Sequence, residues 1–544
     1  MKRPERKRTI SSRRDQYMMI TLLAAMGALI FRIPLGYMIG DKGITCFASA
    51  YEIYLVVAGT VSYGLSEAVA ALVKFRVKRD QYKNARKVLS GALLFGGVLG
   101  LIFSAFFCIS GQFAAEKILH VPLAGLAISL MAPSMFFMIL TGVFKGYFQG
   151  SGSRMPALHS QILHLIIMFA GGLLGAGLVH EYGLKVSALL QNEDYAGAYG
   201  ARGASIGLLA ASILCFLHML VLYFIYKGSL KKQAGRELPK SKDAGFHIVY
   251  MLTGTGVIYS LVWLCFQGLP LIDQYLFFLS GDRSGESIAM WGVYYGKCLV
   301  FSGVISGMII IACLGSVRRV AGLIERDEQR LAREKLGILI HQCAVISIPA
   351  AVLLAVFSEN LLEILSVNAA KQATGWVQLG SILVVFCVFA AVFVEVLARS
   401  RKMKYVALTG AGSLLLHIGV LFLLLKSTKL GITAVLIAAI VFYVLVTGAG
   451  FWLISHLIQY TQEWIKSFAI TLIDSAVSGV IAMLLNKVFT PMLGAAVSMI
   501  ICLLTAIIVY LVLLVVTRAF DEGELEEMAG GRILIRLMGM LRFR

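Results

Sequence analysis

Apolar residues fall in long blocks along this chain, each wide enough to cross ~30 Å of hydrocarbon as a helix. Polar stretches of a few residues separate them. Fourteen such blocks are legible, near 17–40, 44–73, 88–109, 121–148, 158–180, 203–226, 246–278, 287–315, 336–357, 376–398, 405–425, 431–457, 468–486 and 492–517. The pattern predicts an all-α polytopic membrane protein. The second and seventh blocks exceed the ~20 residues a crossing needs, so they must tilt, break or emerge from the bilayer. The first block breaks the apolar rule at Arg32 and carries Pro34 two residues on. A proline removes a backbone donor, so a bend is expected there.

Fourteen spans place both termini on one side. The segments on that side hold 37 of the 49 Lys and Arg residues, and the opposite loops hold nine. Basic residues stay cytoplasmic, so both termini are expected in the cytoplasm and the protein in the cytoplasmic membrane. The net charge of +20 is then a topology signal directed at anionic headgroups of the lipid bilayer, and nucleic acid is not an expected partner. With 59% hydrophobic and 14% charged residues, against ~25% charged in soluble domains, a soluble enzyme is excluded. The nine cysteines lie in apolar segments without a CxxC pair, so they read as small buried hydrophobes rather than zinc ligands or disulfides. No cleavable leader is expected, since the first block is too long and lacks a small-residue cleavage site.

The loops also repeat. Asp80-Gln-Tyr-Lys83-Asn-Ala85-Arg86 follows the second span, and Asp327-Glu-Gln-Arg330-Leu-Ala332-Arg333 follows the eighth; Arg154-Met155 matches Lys402-Met403 at nearly the same offset. An offset of six spans preserves orientation, so the expectation is two six-helix lobes in a parallel pseudo-repeat, related about the membrane normal. The organisation read from this is a basic N-terminus (1–16), a first lobe (17–226), an inter-lobe loop (227–245), a second lobe (246–457), two C-terminal helices (458–517) and a tail (518–544). Residues 317–335 and the tail, with Leu534, Leu537 and Leu541 beside Arg532, Arg536 and Arg542, read as interfacial helices.

Arg32-Ile33-Pro34-Leu35-Gly36, Gly40, Gly43, Tyr51, Ile53-Tyr54 and the segment Asp80 to Lys87 resemble the stage V sporulation protein B group. So do Gly146-Tyr147-Phe148-Gln149-Gly150, Met155-Pro156, Ser160-Gln161 and Leu271-Ile272-Asp273. That group belongs to the multidrug/oligosaccharidyl-lipid/polysaccharide (MOP) exporter superfamily, which includes the lipid II flippases. The chain departs from the group at His164 and Met168 in span 5, and at Cys313-Leu314-Gly315-Ser316 after span 8. The resemblance implies a flippase that carries a polyprenyl-pyrophosphate-linked saccharide across the membrane, alongside cell-envelope synthesis enzymes.

Ionisable residues inside spans cost roughly 2.5–3.5 kcal/mol each on insertion scales, so they mark sites or buried pairs. Counted from the outer turns, Arg32 and Glu52 fall at one depth, and Asp273 and Lys297 at another common depth with the signs exchanged. Two readings stay open: structural ion pairs, or a cavity between lobes where cations receive a pyrophosphate and acids set coupling to H+, Na+ or the membrane potential. Arginine suits phosphate because its planar fork donates two parallel hydrogen bonds. Lys145 and Glu67 lie nearer the inner face, as snorkelling or gate residues. His164, with His218 and His417, reads as a helix-contact histidine. No metal-ligand cluster, P-loop or catalytic triad is legible, so neither an enzyme, a cofactor nor ATP drive is expected. The rival readings are a multidrug/cation antiporter of the same superfamily, whose cavity would be acid-dominated, and a non-transporting membrane scaffold.

Overall fold

The computed structural model describes residues 13–235, 245–281, 283–365 and 370–517. Among these there are helices and turns but no strand. The helices are α1 (Arg13–Tyr54), α2 (Thr60–Val77), α3 (Tyr82–Phe113), α4 (Gly125–Met131), α5 (Pro133–Gly150), α6 (Met155–Leu190), α7 (Asp194–Gly235), α8 (Gly245–Gln267), α9 (Leu269–Ser280), α10 (Gly285–Val293), α11 (Leu299–Glu325), α12 (Gln329–Val356), α13 (Ser358–Ile364), α14 (Ala370–Arg399), α15 (Met403–Ser427), α16 (Ile432–Ile458), α17 (Ile470–Leu493) and α18 (Ala495–Val516). One-turn π-helical segments join α1 to α2 (Leu55–Gly59) and α10 to α11 (Tyr294–Cys298).

Twelve helical runs among the described residues are long and apolar enough to cross a membrane, or thirteen when the bent pair α4–α5 counts as one span. This is a multi-pass membrane protein. The first run, Asp15–Val77, has 63 residues, about 95 Å if straight at 1.5 Å per residue. It is not straight. Arg32 and Glu52 lie twenty positions apart, about 30 Å along one helix, yet their side chains meet at 3.8 Å. The Phe31 and Phe47 rings are 5.8 Å apart. The chain reverses at Gly40, whose φ of 73° and ψ of 171° belong to a region open almost only to glycine. The reversal thus falls where the first block ends, and Pro34 lies inside the first arm. The fourteen expected spans are reached only when both arms of this run and the bent pair α4–α5 are counted.

Other boundaries also shift. The long seventh block divides at Gly268 into α8 and α9. Residues 317–335 form no separate interfacial helix: they complete α11, turn at 326–328 and begin α12. The tail 518–544 lies outside the described residues.

Below, "inner" means the end that carries the basic turns at 78–81 and 400–402, and "outer" the opposite end. Small residues let the helices close. Gly172 and Gly175 of α6 face Gly203 and Gly207 of α7 across a backbone-to-backbone contact, the small-xxx-small mode of membrane helices. The two halves, 13–235 and 245–458, meet along two seams. The α2–α8 seam has Ser260 Oγ donating to Thr60 O at 2.9 Å and Trp263 Nε1 donating to Leu55 O at 3.1 Å. The α1–α11 seam has Leu29 against Gly303 and Met26 against Gly307. α17 packs on α12, and α18 on α17 and α13.

The repeated turns share a backbone closure. Asp80 and Asp327 both take φ near +60°, at 56° and 59°. The next amide in each donates five residues back: Gln81 N to Arg76 O, and Glu328 N to Leu323 O. Gly152 and Arg401, in the second pair of turns, do the same through Ser153 and Lys402. This is a helix C-cap in which a left-handed residue satisfies otherwise orphaned carbonyls.

Candidate functional site at the junction of the two halves

Arg32 reaches the junction because the Gly40 reversal lays the two arms of α1 side by side. Its guanidinium carbon lies over the Tyr295 ring, 3.7 Å from the centroid. Its Nη1 donates to Tyr295 O at 3.2 Å. Its Nη2 is 3.8 Å from Glu52 Oε1, and the Tyr295 hydroxyl donates to that same oxygen. A π-helical turn leaves carbonyls outside the regular ladder and tends to occur at functional positions. Both π turns use this: Tyr295 O takes the Arg32 donor, and Leu55 O takes the Trp263 indole. Each bond joins one half to the other. Arg32 and Glu52 are 8% and 2% exposed, and Arg32 Nε and Glu52 Oε2 are buried without a hydrogen-bond partner.

Lys297, in the same π turn, does not meet Asp273. It pairs with Asp41 in the outer turn at 2.9 Å. Asp273 instead receives His417 Nε2 at 2.6 Å, both side chains buried. So the expected second acid–base pair is replaced by two pairs, one across the junction and one inside the second half. Two further bonds close the outer end: Thr45 Oγ1 donates to Ile288 O at 2.6 Å, and Gln274 Nε2 donates to Ser49 Oγ at 2.6 Å.

The remaining sequence candidates gather lower down. Lys145 and His164 lie within electrostatic reach of each other, on facing helices α5 and α6, with Cys215 of α7 beside the lysine. One turn from His164, Gln161 donates to the Tyr17 hydroxyl at 3.4 Å and accepts from Thr21 Oγ1 at 3.1 Å. Glu67 faces Tyr17 and Tyr63, and Tyr63 also faces Glu395 from the second half. At the inner end Asp15 bridges Arg318 at 2.5 Å and Arg399 at 2.8 Å, and Arg399 also binds Glu395 at 2.6 Å. The structure therefore brings Arg32, Glu52 and Lys297 together at the outer junction. It sets Asp273 beside that cluster with His417, and keeps Lys145, His164 and Glu67 in the inner half.

Several members escaped the sequence reading. Tyr295 had a signal, two tyrosines and a glycine directly before an intramembrane lysine. Asp41 was legible only as part of the outer turn. Asp15 and Arg399 look like ordinary flanking charges. His417 was read as a helix contact, and its acid partner comes from a helix distant in sequence.

No family model matches the chain. It is 21% identical over 538 residues to stage V sporulation protein B of Bacillus subtilis (strain 168), covering 95% of this chain and 97% of that protein. Its fold matches the lipid II flippase MurJ in an inward closed conformation, with a TM-score of 0.64 at 15% identity over 92% of this chain and 98% of that one. It also matches an inward-facing MATE family transporter of the MOP superfamily, with a TM-score of 0.63 at 13% identity over 80% of this chain and 94% of that one. The outward-facing form of a MATE family transporter of that superfamily scores 0.52. The chain shares its fold with these MATE and MurJ structures, and its similarity to stage V sporulation protein B of Bacillus subtilis runs through nearly the whole chain.

Proposed function

We propose that this protein flips a polyprenyl-pyrophosphate-linked saccharide across the cytoplasmic membrane, from the inner to the outer leaflet, by alternating access. It acts as a transporter and not as an enzyme, with both termini in the cytoplasm and the residues 17–226 and 246–457 as its two lobes. The observation that carries the reading is the Arg32–Glu52–Tyr295 cluster. It buries a guanidinium at the meeting of the lobes and ties it there through a carbonyl of the opposite one. The length-spanning similarity to stage V sporulation protein B and the MurJ fold support the choice of substrate class.

The residues divide the work. Separation of the lobes at the outer end pulls Tyr295 away from Arg32. The guanidinium then loses its aromatic lid and one carbonyl acceptor, and its fork is free to take a pyrophosphate bidentately. Glu52 keeps the cation oriented in the absence of substrate. Asp41–Lys297 and Asp15–Arg318/Arg399 hold the two ends of the path. Coupling to H+, Na+ or the membrane potential supplies the drive, and the buried Asp273–His417 pair is the group best placed to carry it. The lipid tail stays in the bilayer while the headgroup passes.

A leaflet-accessibility assay of lipid-linked precursors, in cells depleted of the protein, tests this. Precursor should accumulate on the inner side. Normal outward exposure without the protein would remove the reading. The MATE neighbours keep one rival alive, a drug or cation antiporter. It predicts export of lipophilic cations, whereas the junction here pairs Arg32 with Glu52 and Lys297 with Asp41.

A further inference from the structure

A pocket of about 860 Å³ opens at the outer end of the second half, away from the charged junction. The last turn of α9, the first turns of α10 and α14 and the α15–α16 connection form its walls. Its volume lies in the ~300–1,000 Å³ range of small-molecule sites. Phe277 and Trp376 line it and are themselves mostly buried. They belong to one aromatic layer: Phe277 to Trp291 at 5.3 Å, Trp291 to Tyr294 at 5.6 Å and Tyr294 to Trp376 at 6.3 Å between centroids. Asp273 lies one turn before Phe277 on α9, and Lys297 lies three residues after Tyr294, so the elements that carry the junction charges also carry this layer.

The rim is polar and positive. Lys426 and Lys429 line it with Gln372, Ser287 and Thr433, and among the described residues none of the lining is a carboxylate. Three helices, α10, α14 and α16, give residues of their first turns to the lining, where the helix N-terminus carries partial positive charge. The C-terminal ends of α9 and α15 also reach it, and the two lysines offset the second of these. Apolar rings and cations in one lining suit a sugar that carries a negative charge: the exposed ring edges take its CH groups, and the lysines and hydroxyls take its anionic and hydroxyl oxygens.

We propose that this pocket binds an anionic saccharide on the outer side. It would receive the glycan end of the carried lipid once that end has crossed, a role that rests on the flippase reading. A free anionic sugar presents the same chemistry, and the test separates the two sources.

The test uses purified full-length protein and isothermal titration with a glucuronate-containing disaccharide, its neutral glucose counterpart and inorganic pyrophosphate. The anionic disaccharide should bind at least tenfold more tightly than the neutral one, and more tightly than pyrophosphate, which lacks the rings' partner. Two variants are read beside the wild type. Lys426→Gln with Lys429→Gln should weaken the anionic sugar at least tenfold and leave the neutral one unchanged. Gly375→Trp should abolish binding by filling the pocket: Gly375 lies in a helix, lines the pocket, and a Cβ there meets no atom within 4 Å. Its thermal midpoint should match the wild type. Equal binding of the charged and neutral sugars, or binding that survives both variants, overturns the proposal. If the soluble sugar binds and the wild type flips lipid-linked glycan, slower flipping by Gly375→Trp assigns the pocket to the carried headgroup. If flipping is absent while sugar binding persists, the flippase reading fails and the pocket stands as a site for free anionic sugar.

Discussion

Arg32 is held by three different contacts, and they do not ask the same of it. The pairing with Glu52 needs only a charge. The stacking over Tyr295 and the donation to its carbonyl need a planar fork, which lysine lacks. Arg32→Lys should therefore fold, with a charge still beside Glu52, and lose flipping more than tenfold; undiminished flipping would remove Arg32 from the substrate path. Tyr295→Phe separates the other role. It keeps ring and carbonyl but deletes the donor to a buried carboxylate, so it should cost about 1–3 kcal/mol of stability, read as a lower thermal midpoint, and leave Arg32 in place. An unchanged midpoint would mean that Glu52 does not depend on the hydroxyl. Counting residues from the outer turn was enough to join Arg32 to Glu52. It failed for Lys297, because depth does not say which way a side chain faces. Each residue turns a helix by about 100°. The π turn at 294–298 and the division at Gly268 further shift the faces of α9 to α11, so Lys297 meets Asp41 and Asp273 meets His417.

The reversal at Gly40 governs how the first arm of α1 meets everything else. Its backbone angles confine the position to glycine, and a Cβ there would touch nothing within 4 Å. Gly40→Ala therefore carries a purely conformational cost of about 1–3 kcal/mol. Purified protein should unfold at a lower temperature, and an unchanged midpoint would show that the turn relaxes freely. Sequence reading found the helices readily, since long apolar blocks leave few alternatives. It also placed the turn between the first two spans at the end of the first block, and the reversal falls at Gly40, while Pro34 lies within the first arm. The repeat was also legible: Asp80 and Asp327, found as a sequence match, close their turns with the same left-handed residue and the same hydrogen bond. The π turns were not legible, because nothing in an apolar run marks where one extra residue enters a turn.

The ion pairs at the two ends tie the halves unequally. Asp41 is about a third exposed while its partner Lys297 is buried, so the outer tie is partly screened and modest. Asp15 and Arg399 are both buried, and removal of one partner there leaves an uncompensated charge. Asp41→Asn should free the outer end and raise the labelling of a cysteine placed at Ser49 by an impermeant thiol reagent, in a background lacking the native cysteines. Asp15→Asn should leave that labelling unchanged or lower it. The reverse order would show that the outer pair is not a tie. For orientation, a cysteine at Lys83 should be shielded from outside and one at Lys185 should be labelled. The measurement that decides the function is reconstitution. Purified protein in vesicles holding a fluorescent polyprenyl-pyrophosphate disaccharide on one leaflet should move it to the other within minutes, and Arg32→Lys in the same vesicles should not. Transfer by the wild type no faster than in protein-free vesicles, or transfer by the variant equal to the wild type's, would contradict it.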